Sequence, residues 1–128
     1  MHDIESATDV KILIDAFYKK VVTDPIIGFF FTEVIDISWE KHIPIMNSFW
    51  CSVLFGTNSF HGNPMIKHFE LDTKATLEQK HFERWLELWG STIDENFIGE
   101  KANEAKLRAK NIAAVMQHKI AQTHHEKS

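Results

Sequence analysis

Apolar residues recur every three or four positions along most of this chain, which is the spacing of one face of an α-helix. The first such run covers about residues 8–22, with Tyr18 on its flank. Its apolar positions are Val10, Leu13, Ile14, Phe17 and Val21. Asp24 and Pro25 end the run, because the residue before a proline is disfavoured in the α conformation. No stretch alternates like a β-strand, so the pattern predicts an all-α domain of five or six helices, two of them very short.

A short apolar corner at residues 26–31 joins the first two predicted helices and contains three consecutive phenylalanines, ending at Phe31. Since three neighbouring side chains cannot share one face, at least one should point into the interior. The second helix is predicted to begin after an N-cap at Ser38 and to run to about residue 55. Pro44 should kink this helix or disturb its first turn. One face carries His42, Met46, Phe49 and Val53. His42 is therefore expected to look inward.

The second half of the chain holds three further predicted helices. Asn63 and Pro64 favour the start of a short helix, with Met65, His68 and Phe69 on its inner face. Thr76 and Gln79 fit a capping box that begins a long helix to about residue 97. The buried positions expected on that helix are Phe82, Trp85, Leu86, Trp89 and Ile93. A last helix at about residues 100–121 has Ala109, Ile112, Ala113, Met116 and Ile120 on its inner face.

Length and composition add that the chain is a single ordinary globular domain over residues 1–128, with a polar tail at residues 122–128 that we expect to fray. Its formal charge of −4 gives no basic footprint, so nucleic acid is not an expected partner. We find neither a signal peptide nor a membrane-spanning run, and the only cysteine, Cys51, cannot form an intrachain disulfide. We therefore expect a cytoplasmic monomer that does not interact with membranes.

Several kinds of chemistry have little support. The eight histidines lack zinc-site spacing, and Cys51 has no second thiol to join it. Cys51 also lies in an apolar helical stretch, where a cysteine is usually a small buried hydrophobe rather than a nucleophile. Glycine-rich phosphate loops and clustered carboxylates are missing from the sequence, so phosphoryl transfer and glycoside hydrolysis are not expected.

One constellation remains, in which His68, His42, Tyr18, Trp85 and Phe31 come from different elements. Each has a structural alternative: His42 as a core histidine, Tyr18 as a half-exposed tyrosine, Trp85 as a core residue with its N–H on a carbonyl. Met65 and Phe82 are expected in the core on the same grounds. Together, however, the residues supply what a haem slot needs, namely an imidazole for iron, apolar walls, and polar groups on the opposite side.

The sequence resembles the truncated haemoglobins, specifically the third group of that family, from about residue 10 to 118. The resemblance rests on AFYKKV, GFFF, WEKHIPIMNSFW and HFERWLELW, and on the pattern GxxxFxGxPMxxHFEL at residues 56–71. Other truncated haemoglobins carry paired glycines before the proximal region. This chain has no Gly-Gly pair, which fits the third group.

The resemblance implies a two-over-two helical sandwich around haem b, with His68 as the proximal iron ligand. It implies that Tyr18, His42 and Trp85 are the distal, reactive residues, with His42 able to donate to the ligand, swing out, or bind iron itself. The implied apolar contacts to haem are Phe31, Met46, Phe49, Phe60, Met65 and Phe82, together with His42 and Trp85. Lys67 and His61 are candidate partners of the propionates.

The implied function is binding of O₂, NO, CO or similar small ligands, with chemistry on NO, peroxide or reactive nitrogen species. Such activity, of the NO dioxygenase or peroxidase kind, would need an external reductase. A simple O₂ carrier or storage protein and a gas sensor remain alternatives, and a haem-free helical regulatory module is the more remote one.

Overall fold

This computed structural model describes residues 1–34, 39–57 and 77–127, with the backbone alone for Val34 and residues 123–127. In that part of the chain every regular element is helical. The elements are α1 (Ala7–Thr23), a π-helical turn (Phe30–Val34), α2 (Trp39–Phe55), α3 (Gln79–Asn96) and α4 (Glu100–Lys127). The predicted all-α architecture is confirmed for these residues.

Helix α1 forms where the apolar spacing predicts it and begins slightly earlier. The Ser6 hydroxyl caps it by accepting a hydrogen bond from the Asp9 backbone N–H at 3.4 Å. Asp24 ends it in an extended conformation, as Pro25 requires. In the corner that follows, Phe30 is buried while Phe29 and Phe31 are half-buried, so the three phenylalanines do point in different directions.

Helix α2 continues through Pro44, which lies inside its span. Its fully buried residues are Trp50, Cys51 and Leu54. The stripe that includes His42 is half-buried beside them and packs at the edge of the core. The predicted burial of Cys51 is confirmed, with 5% of its surface exposed, whereas the predicted N-cap, Ser38, lies outside the described residues.

The start of α3 differs from the prediction. Glu78 is the N-cap, and the imidazole Nδ1 of His81 accepts a hydrogen bond from the Glu78 backbone N–H at 2.9 Å. The predicted capping box of Thr76 and Gln79 was therefore wrong by two positions. Histidine is not the usual residue for this role, but its Nδ1 accepts the same hydrogen bond that a Glu or Gln side chain accepts.

Helix α4 reaches Lys127, beyond the end predicted at residue 121. Adding a polar residue to an existing helix costs little, because propagation requires only one further residue to be fixed for each hydrogen bond gained. At the other end, the Asp3 carboxylate accepts hydrogen bonds from the backbone N–H groups of Lys101 and Ala102 at 2.9 and 2.8 Å. The N-terminal segment thereby caps the last helix. Fraying of the tail stays a prediction.

The core lies where α1 packs against α2 and α3, and α4 packs against α3 and α2. Trp89 is at its centre, stacked on Trp50 with ring centroids 4.6 Å apart and edge-on to Phe17 at 5.0 Å. Small residues of α4 allow this approach, and the Trp89 indole N–H donates to the Ala105 carbonyl at 3.1 Å. None of the described helices has the length and apolarity to cross a membrane.

Candidate functional site

The side chains of Tyr18 and His42 meet between α1 and α2. Tyr18 lies on the flank of the buried stripe of α1, and His42 lies on the first turns of α2. Their rings are 5.0 Å apart, and the His42 Nε2 is 2.9 Å from the Tyr18 hydroxyl oxygen. Two residues that the sequence predicted to share a site are therefore in direct contact.

Burial raises the pKa of the Tyr18 hydroxyl. The phenol therefore keeps its proton throughout the physiological pH range and can serve as a hydrogen-bond donor. Because it carries a single proton, it has two ways to bond a neutral histidine. Either it donates to the His42 Nε2, or the His42 Nε2–H donates to it and leaves its own O–H available for another acceptor.

Two further rings complete what we call the tyrosine cluster, defined as Tyr18, Phe31, Trp39 and His42. Phe31 lies 5.9 Å from Tyr18 and 6.1 Å from Trp39, centroid to centroid, and its ring is stacked on the Trp39 indole. The Trp39 ring is 5.2 Å from Tyr18 and 5.8 Å from His42. Sequence reasoning missed Trp39. Its spacing to His42 on the same helix, three residues, was the available signal.

Trp85 approaches this cluster through Phe17. The Phe17 ring lies 5.1 Å from Tyr18 and 5.9 Å from Trp85. Trp85 is half-buried and stacks parallel to Trp89 at 6.1 Å. Unlike the Trp89 indole, the Trp85 indole makes no hydrogen bond within the described part of the chain. The structural alternative, in which a carbonyl accepts from this N–H, thus finds no support among these residues.

The other predicted pocket residues occupy different surroundings. Met46 and Phe49 lie half-buried on α2, on the same stripe as His42. Phe82 is buried in a small separate cluster with Ala113, Met116 and Ile120 of α4, and Trp85 packs at the border of both clusters. This location fits the core role that the sequence also allowed for Phe82.

His68, Phe60 and Met65 lie outside the described residues, as do the candidate propionate partners Lys67 and His61. The proximal side of the predicted site therefore stays a prediction. The described residues contain no group of three or more metal-ligating side chains.

An ion pair fixes the corner that carries Phe31 to the helix that carries Trp85. The Asp24 carboxylate, with 2% of its side chain exposed, accepts from Arg84 at 2.7 Å and from the backbone N–H of Ile27 at 3.0 Å. Burial alone would raise the pKa of Asp24, but these hydrogen bonds outweigh it and lower that pKa. Arg84 thus positions α3 against the corner.

The described half of the site fits the distal side of a haem pocket by the chemistry of its donor set. It presents the Tyr18 phenol, the His42 imidazole and the Trp85 indole N–H, which has no hydrogen-bond partner among the residues that the structure describes. Flat aromatic rings and apolar side chains surround these groups, as a planar macrocycle with a small polar ligand requires.

Comparisons with known proteins show the family to which the chain belongs. Residues 2–121 match the family described as Bacterial-like globin. The chain is 31% identical over 111 residues to the "Group 3 truncated hemoglobin ctb" of Campylobacter jejuni, covering 84% of this chain and 85% of that protein.

The fold matches the crystal structure of the group III truncated hemoglobin from Campylobacter jejuni with a TM-score of 0.82 and 27% identity, over 94% of this chain and 95% of that one. This match confirms the truncated globin fold that the sequence predicted. The chain therefore belongs to the bacterial-like globins, and within them to the third group of the truncated haemoglobins.

Proposed function

We propose that this protein uses haem b, held by His68, to bind O₂ and other diatomic gases and to act on NO, peroxide or reactive nitrogen species. Membership of the globin family implies haem and gas binding in general. The observation that supports the finer proposal is the contact between the Tyr18 hydroxyl and the His42 Nε2 at 2.9 Å.

Haem, when bound, supplies an iron atom that takes up small diatomic ligands. The chain's own residues determine how firmly such a ligand is held. Tyr18 donates from its hydroxyl when His42 donates to it, and Trp85 donates from its indole N–H. In a pocket shielded from water, each of these hydrogen bonds is stronger than it would be in solvent.

The Tyr18–His42 pair acts as a unit in this proposal. With the proton of His42 on Nε2, the pair forms a chain of donors that ends at the Tyr18 O–H. With the proton on Nδ1, Tyr18 donates to His42 and offers only lone pairs to the pocket. The tautomer of His42 therefore decides whether Tyr18 stabilises a ligand.

Two donors favour slow release, since each hydrogen bond contributes about 0.5–1.5 kcal/mol, or roughly a factor of two to ten in rate. Slow release suits a protein that holds O₂ while a second molecule reacts. It suits a carrier poorly. In this proposal an external reductase supplies the electrons for sustained turnover.

The haem proposal is tested by absorption spectroscopy of the purified protein. We expect a Soret band that is lost in His68→Ala and retained in His118→Ala, a matched control at an exposed position of α4. A protein that takes up no hemin, or a His68→Ala variant with an unchanged spectrum, would contradict the proposal.

The reactive role is tested by stopped-flow mixing of the O₂-loaded protein with NO, in the presence and absence of a reducing system. We expect rapid conversion of NO to nitrate in each cycle, and repeated cycles only when reductant is present. If O₂ simply dissociates unchanged, the carrier alternative replaces the reactive one.

A further inference from the structure

Trp39 packs against both partners of the Tyr18–His42 pair. Its indole contacts three rings, those of Tyr18, Phe31 and His42. It is half-buried and belongs to the first turn of α2. A large, partly exposed ring thus covers part of the hydrogen-bonded pair.

A surface cleft of about 310 Å³ lies beside this ring. It runs between α1 and the beginning of α2 and is lined by Asp15, Tyr18, Lys19, Val22, Trp39 and Ile43. Tyr18 and Trp39 are therefore wall residues of the cleft and members of the tyrosine cluster at once. A second cleft of about 380 Å³ lies nearer the start of α1 and is not lined by either residue.

Tyr18 belongs both to the lining of the cleft and to the hydrogen-bonded pair. Tyr18 contributes to the lining of the surface cleft, and burial raises the pKa of its phenol. The cleft and the hydroxyl–imidazole pair therefore share Tyr18, and Trp39 lines the cleft while contacting both members of the pair.

The lining of the cleft fits a small neutral molecule. Val22, Ile43 and Trp39 supply apolar surface, and Asp15 and Lys19 contribute one charge of each sign. The Asp15 carboxylate is itself paired with Lys11 at 2.9 Å. The apolar side chains offer a neutral diatomic molecule a surface on which it needs no charged partner.

We propose that this cleft is an entry route for diatomic ligands and that Trp39 is the barrier residue that limits passage to the Tyr18–His42 pair. This inference rests on the proposed haem function and adds a residue that determines access and size selection. For a molecule to pass, the Trp39 indole must move away from Tyr18 or His42, and this movement disturbs three aromatic contacts.

The test is the bimolecular association of CO with the haem-loaded protein after flash photolysis. Trp39→Ala should raise the association rate roughly tenfold, which corresponds to a barrier that is lower by about 1.36 kcal/mol. Trp39→Phe should lie between Trp39→Ala and the wild type. Ile45→Ala is the matched control, because Ile45 is exposed on the same helix and lines neither cleft. Equal rates in Trp39→Ala and the control would overturn the proposal.

Size selection provides a second readout. Methyl and butyl isocyanide bind ferrous haem and differ mainly in bulk. Trp39→Ala should accelerate association of the butyl compound more than that of the methyl compound, because the larger ligand requires the larger displacement of the indole. The same acceleration for both compounds would show that Trp39 does not act as a size barrier.

Filling the cleft from outside tests the route itself. Val22→Phe should slow CO association while leaving the Soret band in place. If that variant folds poorly, Lys19→Trp at the exposed edge of the cleft serves the same purpose. Unchanged association in a folded, cleft-filled variant would overturn the route. Failure of the haem proposal is recognised separately, because the wild-type protein would then show no CO-sensitive Soret band at all.

Discussion

The core around Trp89 and the tyrosine cluster are built from the same kinds of residue, and both pack against Phe17. They differ in how their polar atoms are used. The Trp89 indole N–H is bonded to a backbone carbonyl, and its ring is 2% exposed. In the tyrosine cluster, Tyr18 and His42 bond to each other through side chains. Two such side chains can exchange the roles of donor and acceptor, whereas the backbone carbonyl bonded to Trp89 can only accept.

The largest expected effect on the free energy of unfolding is in the core around Trp89. Trp89→Ala should lower the free energy of unfolding by about 3–5 kcal/mol, the range found for large aromatic truncations in a core. Trp85→Ala should cost roughly half as much, because Trp85 is half-buried and its N–H has no bond within the described residues. Urea denaturation measures both, with the Soret band followed separately for haem loss. Equal costs for the two variants would contradict the division into a structural and a functional tryptophan.

The next prediction concerns the ion pair that links the corner to α3. Asp24→Ala removes the acceptor of Arg84 and of two backbone N–H groups. It should cost about 2–4 kcal/mol of stability, because the buried Ile27 N–H and the partly buried Ile26 N–H and Arg84 guanidinium all lose a charged acceptor. Glu87→Ala, which removes the exposed partner of Arg84, should change stability by less than about 0.5 kcal/mol.

The Asp24 pair also illustrates what the sequence could and could not provide. Helical spacing predicted helices α1 to α4 and most of the buried positions of α3 and α4, since each depends on residues near in sequence. Of the positions predicted to face inward, His42, Trp85, Leu86 and Ile112 are half-buried rather than buried. Motif resemblance predicted the family. The Asp24–Arg84 pair and the capping of α4 by Asp3 join residues far apart in the chain, and no local pattern specifies such contacts.

Trp39 was missed for a different reason. A tryptophan in the first turn of an amphipathic helix has an ordinary interpretation as a surface or core residue. Only the packing of α2 against α1 shows that its ring meets Tyr18 and His42 together. The cap of α3 was misplaced because Thr76 fits the usual sequence rule, whereas Glu78 and His81 satisfy the same hydrogen bond with less common residues.

In the tyrosine cluster we expect a smaller effect on stability and a clear effect on ligand release. Tyr18→Phe removes one hydroxyl from a half-buried ring and should change unfolding free energy by about 1 kcal/mol. It should increase O₂ dissociation by roughly two- to tenfold. If His42 acts through Tyr18, adding His42→Phe to Tyr18→Phe should change dissociation by less than His42→Phe does alone. Additive effects would show that the two residues act independently.

The smallest effect on stability is expected at His81. Like Trp89, His81 uses its polar atom for a hydrogen bond with the backbone. Burial, and to a lesser extent the nearby charge of Lys80, lower the pKa of His81, while Glu78 acts in the opposite direction. The Phe29 and Phe30 rings also form T-shaped contacts with this imidazole. In its neutral form, His81 accepts the hydrogen bond from the Glu78 backbone N–H that begins α3.

A lowered pKa in the folded state means that the unfolded chain binds a proton at His81 more readily than the folded protein does. The stability that the neutral imidazole contributes is therefore fully present above the unfolded pKa of about 6.5, and it is lost as the pH falls through the lower, folded value. We expect a loss of about 1 kcal/mol or less, the usual contribution of a helix cap. His81→Gln keeps an acceptor but cannot titrate, so its stability should decline less than that of the wild type between pH 7.5 and 5.5. His118→Gln, at an exposed position of α4, should decline in parallel with the wild type. If His81→Gln and the wild type show the same pH dependence, His81 does not couple protonation to the start of α3.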